Sequence, residues 1–148
     1  MEGRALTPPL AVGSFASPMK KVIASRDAPG AVGPYSQAIA AGGFLFCAGQ
    51  IPLDPQTGEL AGEGIRLQAA RSLENLGAVL KANGMGFSHV VKTTVFLIDL
   101  ADFAAMNEVY AKYFPELPPA RSTIQVSALP RGSRIEIEAI AAEEASHD

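Results

Sequence analysis

The chain has 148 residues, 48% of them hydrophobic, which is enough for one domain with its own core, and no shift of composition marks a second. Twelve basic against fifteen acidic residues give a net charge of -3, leaving no basic stripe for a nucleic-acid backbone, and no apolar run reaches membrane-spanning length. The single cysteine, Cys47, excludes an intramolecular disulfide and fits a reducing, cytoplasmic setting.

The first 18 residues, rich in Pro, Ala, Gly and Ser, show no period and are expected to form a disordered extension. Met19 is a possible alternative start of a single domain over residues 19–148. Pro8, Pro9 and Gly13 interrupt any secretory segment, and Arg4 is the only arginine before Met19, too few for the usual transit peptide; an organellar presequence is the lesser alternative.

"KKVIAS" and "SQAIAA" read as short strands separated by the Pro- and Gly-rich loop "RDAPGAVGPY". "FLFCAGQI" is apolar at nearly every position, as a strand buried on both faces would be, and "DPQTGEL" reads as a turn. From Gly64 to Asn83 the period becomes helical: Ala69, Leu73, Leu76 and Leu80 share one face, and Asn83-Gly84 supplies a stop. "HVVKTTVFLI" returns to strand. Asp99 then opens a second helix with a stripe of Phe103, Met106, Tyr110 and Tyr113, ended by Pro115. The segment "PPARSTIQVSALPRGSRIEIEAIAAEE" alternates apolar and polar residues on either side of a Leu-Pro-Arg-Gly-Ser break and reads as a hairpin. Its expected solvent face carries Arg121, Thr123 and Gln125 on one strand and Glu136 and Glu138 on the other.

Six strands and two helices in the order β-β-β-α-β-α-β-β predict an α+β fold with both helices on one face of a mixed sheet. Two helices cannot cover both faces, yet the strands "FLFCAG" and "VVKTTVFLI" lack a clean wet side. A second copy of the chain is the economical cover, and a dimer or a trimer satisfies the pattern equally.

Two histidines, His89 and His147, leave little for a Ser-His-Asp or Cys-His arrangement; His89 reads as a surface or strand-edge residue. Zinc-ligand spacing and a phosphate-binding glycine loop are both missing from the sequence, so no metal or cofactor is expected. Cys47, in an apolar strand, reads as a small structural hydrophobe. Arg121 remains, behind the stiff lead-in Pro118-Pro119-Ala120 and suited to a bidentate carboxylate ligand, together with Tyr35 in "GPYSQ". From the residues alone, pairing of Arg121 with Glu136 or Glu138 across the hairpin is an equal alternative.

The segments "APGAVGPYSQA", "CAGQIPLDPQTGEL", "VVKTTVFLIDLADFAAMNEVY", "YFPELPPARST" and "LPRGSRIEIEAIA" resemble, in order from about Lys20 to Ala142, the signatures of the RidA family, also called YjgF, of enamine/imine deaminases. The resemblance implies a chorismate-mutase-like homotrimer with sites in the clefts between subunits. The implied reaction is hydrolysis of reactive 2-imino acids, derived from 2-aminoacrylate and 2-aminocrotonate, to 2-keto acids and ammonia without cofactor or metal. It places the family's substrate-binding arginine on Arg121, its glutamate on Glu136 and its tyrosine on Tyr35. Arg121 would then grip the substrate carboxylate, Glu136 would handle water and the departing nitrogen, and Tyr35 would close the pocket. Glu138 is left with packing or charge balance.

Thr123 stands where many relatives carry cysteine, and is expected to offer its backbone carbonyl; Ala48 stands where a serine is common, and both bear on substrate preference. Asn107 is expected to approach the cleft from a neighbouring subunit. The alternatives are a regulatory trimer that captures small carboxylates without turning them over, and a ribonuclease or translation inhibitor, against which the net negative charge argues.

Overall fold

The computed structural model describes residues 19–144; the expected N-terminal extension lies outside the described residues. Six strands form one sheet: β1 (Lys21–Ile23), β2 (Ala38–Ala41), β3 (Phe44–Gln50), β4 (Val90–Leu97), β5 (Ala120–Gln125) and β6 (Ile135–Ala142). Two α-helices are interposed, α1 (Ile65–Ala82) after β3 and α2 (Phe103–Tyr113) after β4. The element order is the one read from the sequence.

Gly42 and Gly43 join β2 to β3 with φ of +59° and +83°, the left-handed pair that a two-residue hairpin turn demands. α1 opens at Gly64 without a side-chain cap and closes at Asn83, whose N–H donates to the Leu80 carbonyl while the Gly84 N–H donates to that of Lys81. α2 follows a single 3-10 turn, Leu100–Asp102, that Asp99 caps by accepting from the Ala101 N–H. His89 lies in another such turn, Phe87–His89, where its Nδ1 accepts from the Gly86 N–H.

The sheet order is β1-β2-β3-β6-β4-β5. Here the expected hairpin fails: β5 and β6 do not pair. β6 runs antiparallel between β3 and β4, whereas β5 lies parallel to β4 at the sheet edge. A parallel pair needs a crossover, and α2 supplies it over the sheet. The turn Pro130–Gly132, with Arg131 at φ +61°, therefore carries the chain past β4 instead of folding it back on β5.

Both helices lie on one face. Leu45, Val95, Leu97, Ile135 and Ile137 point into it with no exposed surface, against Leu73, Leu76, Leu80 and Met106. The α2 stripe departs from expectation at its start: Met106, Val109 and Tyr110 are buried and Tyr113 packs against the core, while Phe103 remains 41% exposed. Cys47 is inside the core, where burial pushes its thiol up to about 12, in keeping with a structural role. At the start of β6, Arg134 donates from Nη2 to both carboxylate oxygens of Asp102 at 2.8 Å, its N–H donates to Gln68, and its Nη1 donates to the Glu63 carbonyl. These bonds tie β6 to both helices and set the register of the residues that follow.

The second face is open. Phe44, Phe46 and Ile124 are 44–45% exposed on it, the two phenylalanines flanking the buried Leu45. The strands that lack a wet side in the sequence thus present an uncovered apolar face in a single copy.

Candidate functional site

Glu136 is the first polar residue of β6 after Arg134, and the strand's alternation turns it to the open face, opposite Phe96 of β4. Its carboxyl group is seated on the bare backbone of Gly49: a Cβ at position 49 would lie only 2.8 Å from Glu136 Cδ. Room for it comes from a bulge, because the pairing of β3 with β6 shifts register between Cys47 and Gln50. Glu136, Glu138, Tyr35, Ala48 and Gly49 line one cavity of about 670 Å³. Burial, and secondarily the charge of Glu138, hold the Glu136 carboxyl above the ordinary glutamate range.

Tyr35 is 53% exposed at the cavity mouth, its hydroxyl accepting from the Val32 N–H. Its loop is fixed from below by Gln37, which is buried: Nε2 donates to the carbonyls of Ser25, Ala28 and Pro29, and Oε1 accepts from the Ser25 N–H. Those bonds satisfy the backbone of a segment that no strand or helix can serve.

Arg121 lies elsewhere. In the β4–β5 register it stands beside Thr93, on the helix-covered side of the sheet. Its guanidinium carbon is 4.7 Å from the ring centre of Tyr110 and 5.5 Å from that of Phe103, so the aromatic residues of α2 form a bed for the cation. Tyr110 is itself held by Thr93, hydroxyl to hydroxyl at 2.7 Å. Asn107, one turn of α2 from Phe103, lines a second cleft with Arg121, Tyr110 and Pro119. Thr123 follows two residues on along the same side of β5. Asn107 Oδ1 and Thr123 Oγ1 are both buried with no hydrogen-bond partner among the described residues, a costly state that a polar ligand or a second chain would relieve. No described carboxylate pairs with Arg121.

The predicted site residues therefore form two groups on opposite faces of the sheet, Tyr35 with Glu136 and Arg121 with Asn107 and Thr123, separated by β4. The expected solvent face of the last two strands does not exist as one surface: on β5 it is Arg121 and Thr123 that turn toward the helix and Ile124 that turns out. Pairing of Arg121 with either glutamate across a hairpin is excluded by the same geometry. Gly49, Gln37 and the aromatic bed of Phe103 and Tyr110 escaped the sequence reading. The Ala48-Gly49 interruption of an otherwise bulky strand was the one available signal for the first.

The fold and the polar groups define an α+β single-sheet protein with a cation on one face and a raised carboxyl on the other; among the described residues no set of His, Cys, Asp or Glu is placed to hold a metal. No described helix is long and apolar enough to cross a membrane. Residues 25–143 match the family described as Endoribonuclease L-PSP, and the chain belongs to that family, the RidA or YjgF family. It is 59% identical over 124 residues to Protein DfrA of Myxococcus xanthus, covering 82% of this chain and 95% of that one. It is 49% identical over 127 residues to the 2-iminobutanoate/2-iminopropanoate deaminase of Homo sapiens, covering 86% and 93%. Among solved structures, E. coli TdcF with bound serine superposes with a TM-score of 0.81 at 45% identity, covering 84% of this chain and 99% of that one.

Proposed function

We propose that this protein hydrolyses 2-imino acids, and the enamines that tautomerise to them, to 2-keto acids and ammonia, as a homotrimer in which Arg121 of one copy faces Glu136 of the next. The supporting observation is the split itself: an arginine with unpartnered polar neighbours on one side, and a proton-handling carboxyl without a cation on the other. Each group has what the other lacks, and the open apolar face offers a surface on which copies can meet. Relatives named as imine deaminases, and the amino acid bound in TdcF, fit a site for small carboxylates.

In this reading Arg121 holds the substrate carboxylate, with Asn107 and the Thr123 backbone beside it. Water on Glu136 attacks the imine carbon as the carboxylate takes its proton. A C–O bond forms, the nitrogen gains protons, Glu136 returning one, and the C–N bond breaks to release ammonia. One water is consumed, and no electron is gained or lost. Tyr35 limits access of bulk solvent. No metal or cofactor takes part.

The test measures ammonia release from imines generated in situ by an amino-acid oxidase or threonine dehydratase. Arg121→Ala should weaken both turnover and binding of an unreactive keto acid such as pyruvate, because it removes a charge-assisted contact made throughout the reaction. Glu136→Gln should keep pyruvate binding and lower turnover by roughly 100-fold or more. Pyruvate binding with no turnover in the unaltered protein would instead establish the alternative, capture without catalysis. Light scattering that returns a monomer at micromolar concentration would remove the shared site.

A further inference from the structure

Glu138, which the reaction above leaves without a task, lines the same cavity as Glu136. The two stand on one face of β6, two residues apart, so the strand rise sets them about 7 Å from each other. That is inside the screening length of physiological salt. Within one copy the groups around them do little to neutralise either, and the Arg121 that the proposed assembly brings to Glu136 from the next copy is the same in every Glu138 variant. Glu136 is faced by Phe96 from β4, by bare Gly49 from β3, by Tyr35 from its loop and by Arg131 from the Pro130–Gly132 turn. Arg131 Nη2 donates to the Gly58 carbonyl at 3.0 Å. Glu138 is faced by Thr94, with Lys92 two residues along the same side of β4. Neither glutamate forms an ion pair with any described residue.

We propose that Glu138 is a tuning residue for the hydrolysis, its charge making Glu136 a stronger base toward water and a ready proton donor toward the leaving nitrogen. The proposal rests on the imine-hydrolase reading for its catalytic consequence, but the coupling of the two carboxyl groups is a property of the fold. A lone carboxylate at its ordinary acidity is a weak base at neutral pH, and opposing its ionisation raises its proton affinity. The direction found for Glu136, raised by burial and then by Glu138, agrees.

The sign of the effect follows. The acid limb of kcat/KM reports protonation of Glu136 in the free enzyme, with activity lost as pH falls through it. Removing the neighbouring charge should lower that limb. Glu138→Gln is therefore expected to move it down by about 0.5 pH unit or more and to cost roughly twofold at pH 8, where a weaker base is fully ionised. Glu138→Asp retains the charge and should leave the limb near its original position. A side chain that merely packs would lower activity at every pH and move nothing.

The experiment compares the assembled full-length protein with both variants, scoring the pH profile of imine hydrolysis. In parallel, carbon-detected NMR follows the Glu136 carboxyl through a pH titration without substrate. A downward shift of the NMR midpoint in Glu138→Gln, with the limb following it, supports the proposal. An unmoved midpoint in folded Glu138→Gln overturns it. If no imine is hydrolysed by the unaltered protein, the functional reading falls, and with it the tuning of a reaction, even where the NMR midpoint moves.

Discussion

The two faces of the sheet are made by alternate residues of the same strands and differ in what completes them. Leu45 and Val95 point into a core that α1 and α2 close within one copy, and neither exposes any surface. Phe44 and Phe46 flank Leu45 in sequence yet remain nearly half exposed. Along β3 the residues are as apolar on one side as on the other, so apolar character alone does not say whether a residue serves the core or an uncovered face. What distinguishes them is the supply of covering elements: two helices suffice for one face, and the other stays uncovered in a single copy, which is the face the proposed assembly would use.

Truncation on each side should separate the two roles. Leu76→Ala on the helical face is expected to cost about 2–5 kcal/mol in chemical denaturation, independent of protein concentration, since it opens a cavity in the core of each copy. Phe46→Ala on the open face should do little to the isolated fold and should instead make the melting temperature depend more steeply on concentration. Equal, concentration-independent losses would break the distinction between the faces.

A second prediction concerns the bulge that admits Glu136. Gly49→Ala should displace the carboxyl group and lower imine turnover by about 100-fold, near 2.7 kcal/mol of barrier, with pyruvate binding through Arg121 largely kept. Full activity in this variant would mean that the seat against Gly49 is incidental.

The smallest effect sharpens the electrostatic side. Because the folded chain holds the Glu136 proton more tightly than an unfolded chain does, stability is lost as pH rises from the ordinary glutamate value through the raised one. Glu136→Gln removes that penalty. Its melting temperature should exceed that of the unaltered protein at pH 7, with the gain vanishing near pH 4. A gain that persists at pH 4 would point to packing instead of charge.

Much of this arrangement was legible in the sequence. Helical spacing located Leu73, Leu76 and Leu80, alternation located β6 and its buried isoleucines, and the shortage of helices implied the uncovered face. The partner of β5 was not legible, because alternation defines a strand but not its neighbour, and the nearby Leu-Pro-Arg-Gly-Ser break imitated a hairpin turn. Arg121 was assigned to the wrong side for a related reason: a charge on a strand is normally read as solvated, and only the folded α2 reveals the rings of Tyr110 and Phe103 beneath it. The seat for Glu136 depends on a register shift at which the Ala48-Gly49 interruption hints, although nothing local says which side chain it admits.

The position of β6 has a consequence for how such a molecule is made. It is the last of the described strands to leave a ribosome, yet it is the one wedged between β3 and β4. Until it arrives, the nascent chain holds two separate pieces, a three-stranded ribbon ending at β3 and a parallel pair starting at β4, each with a bare hydrogen-bonding edge. Neither can seal the core beneath the helices, so folding waits until β6 has emerged, and a premature stop between the two pieces' completion and Ala142 would release a polypeptide with sticky edges instead of a smaller domain.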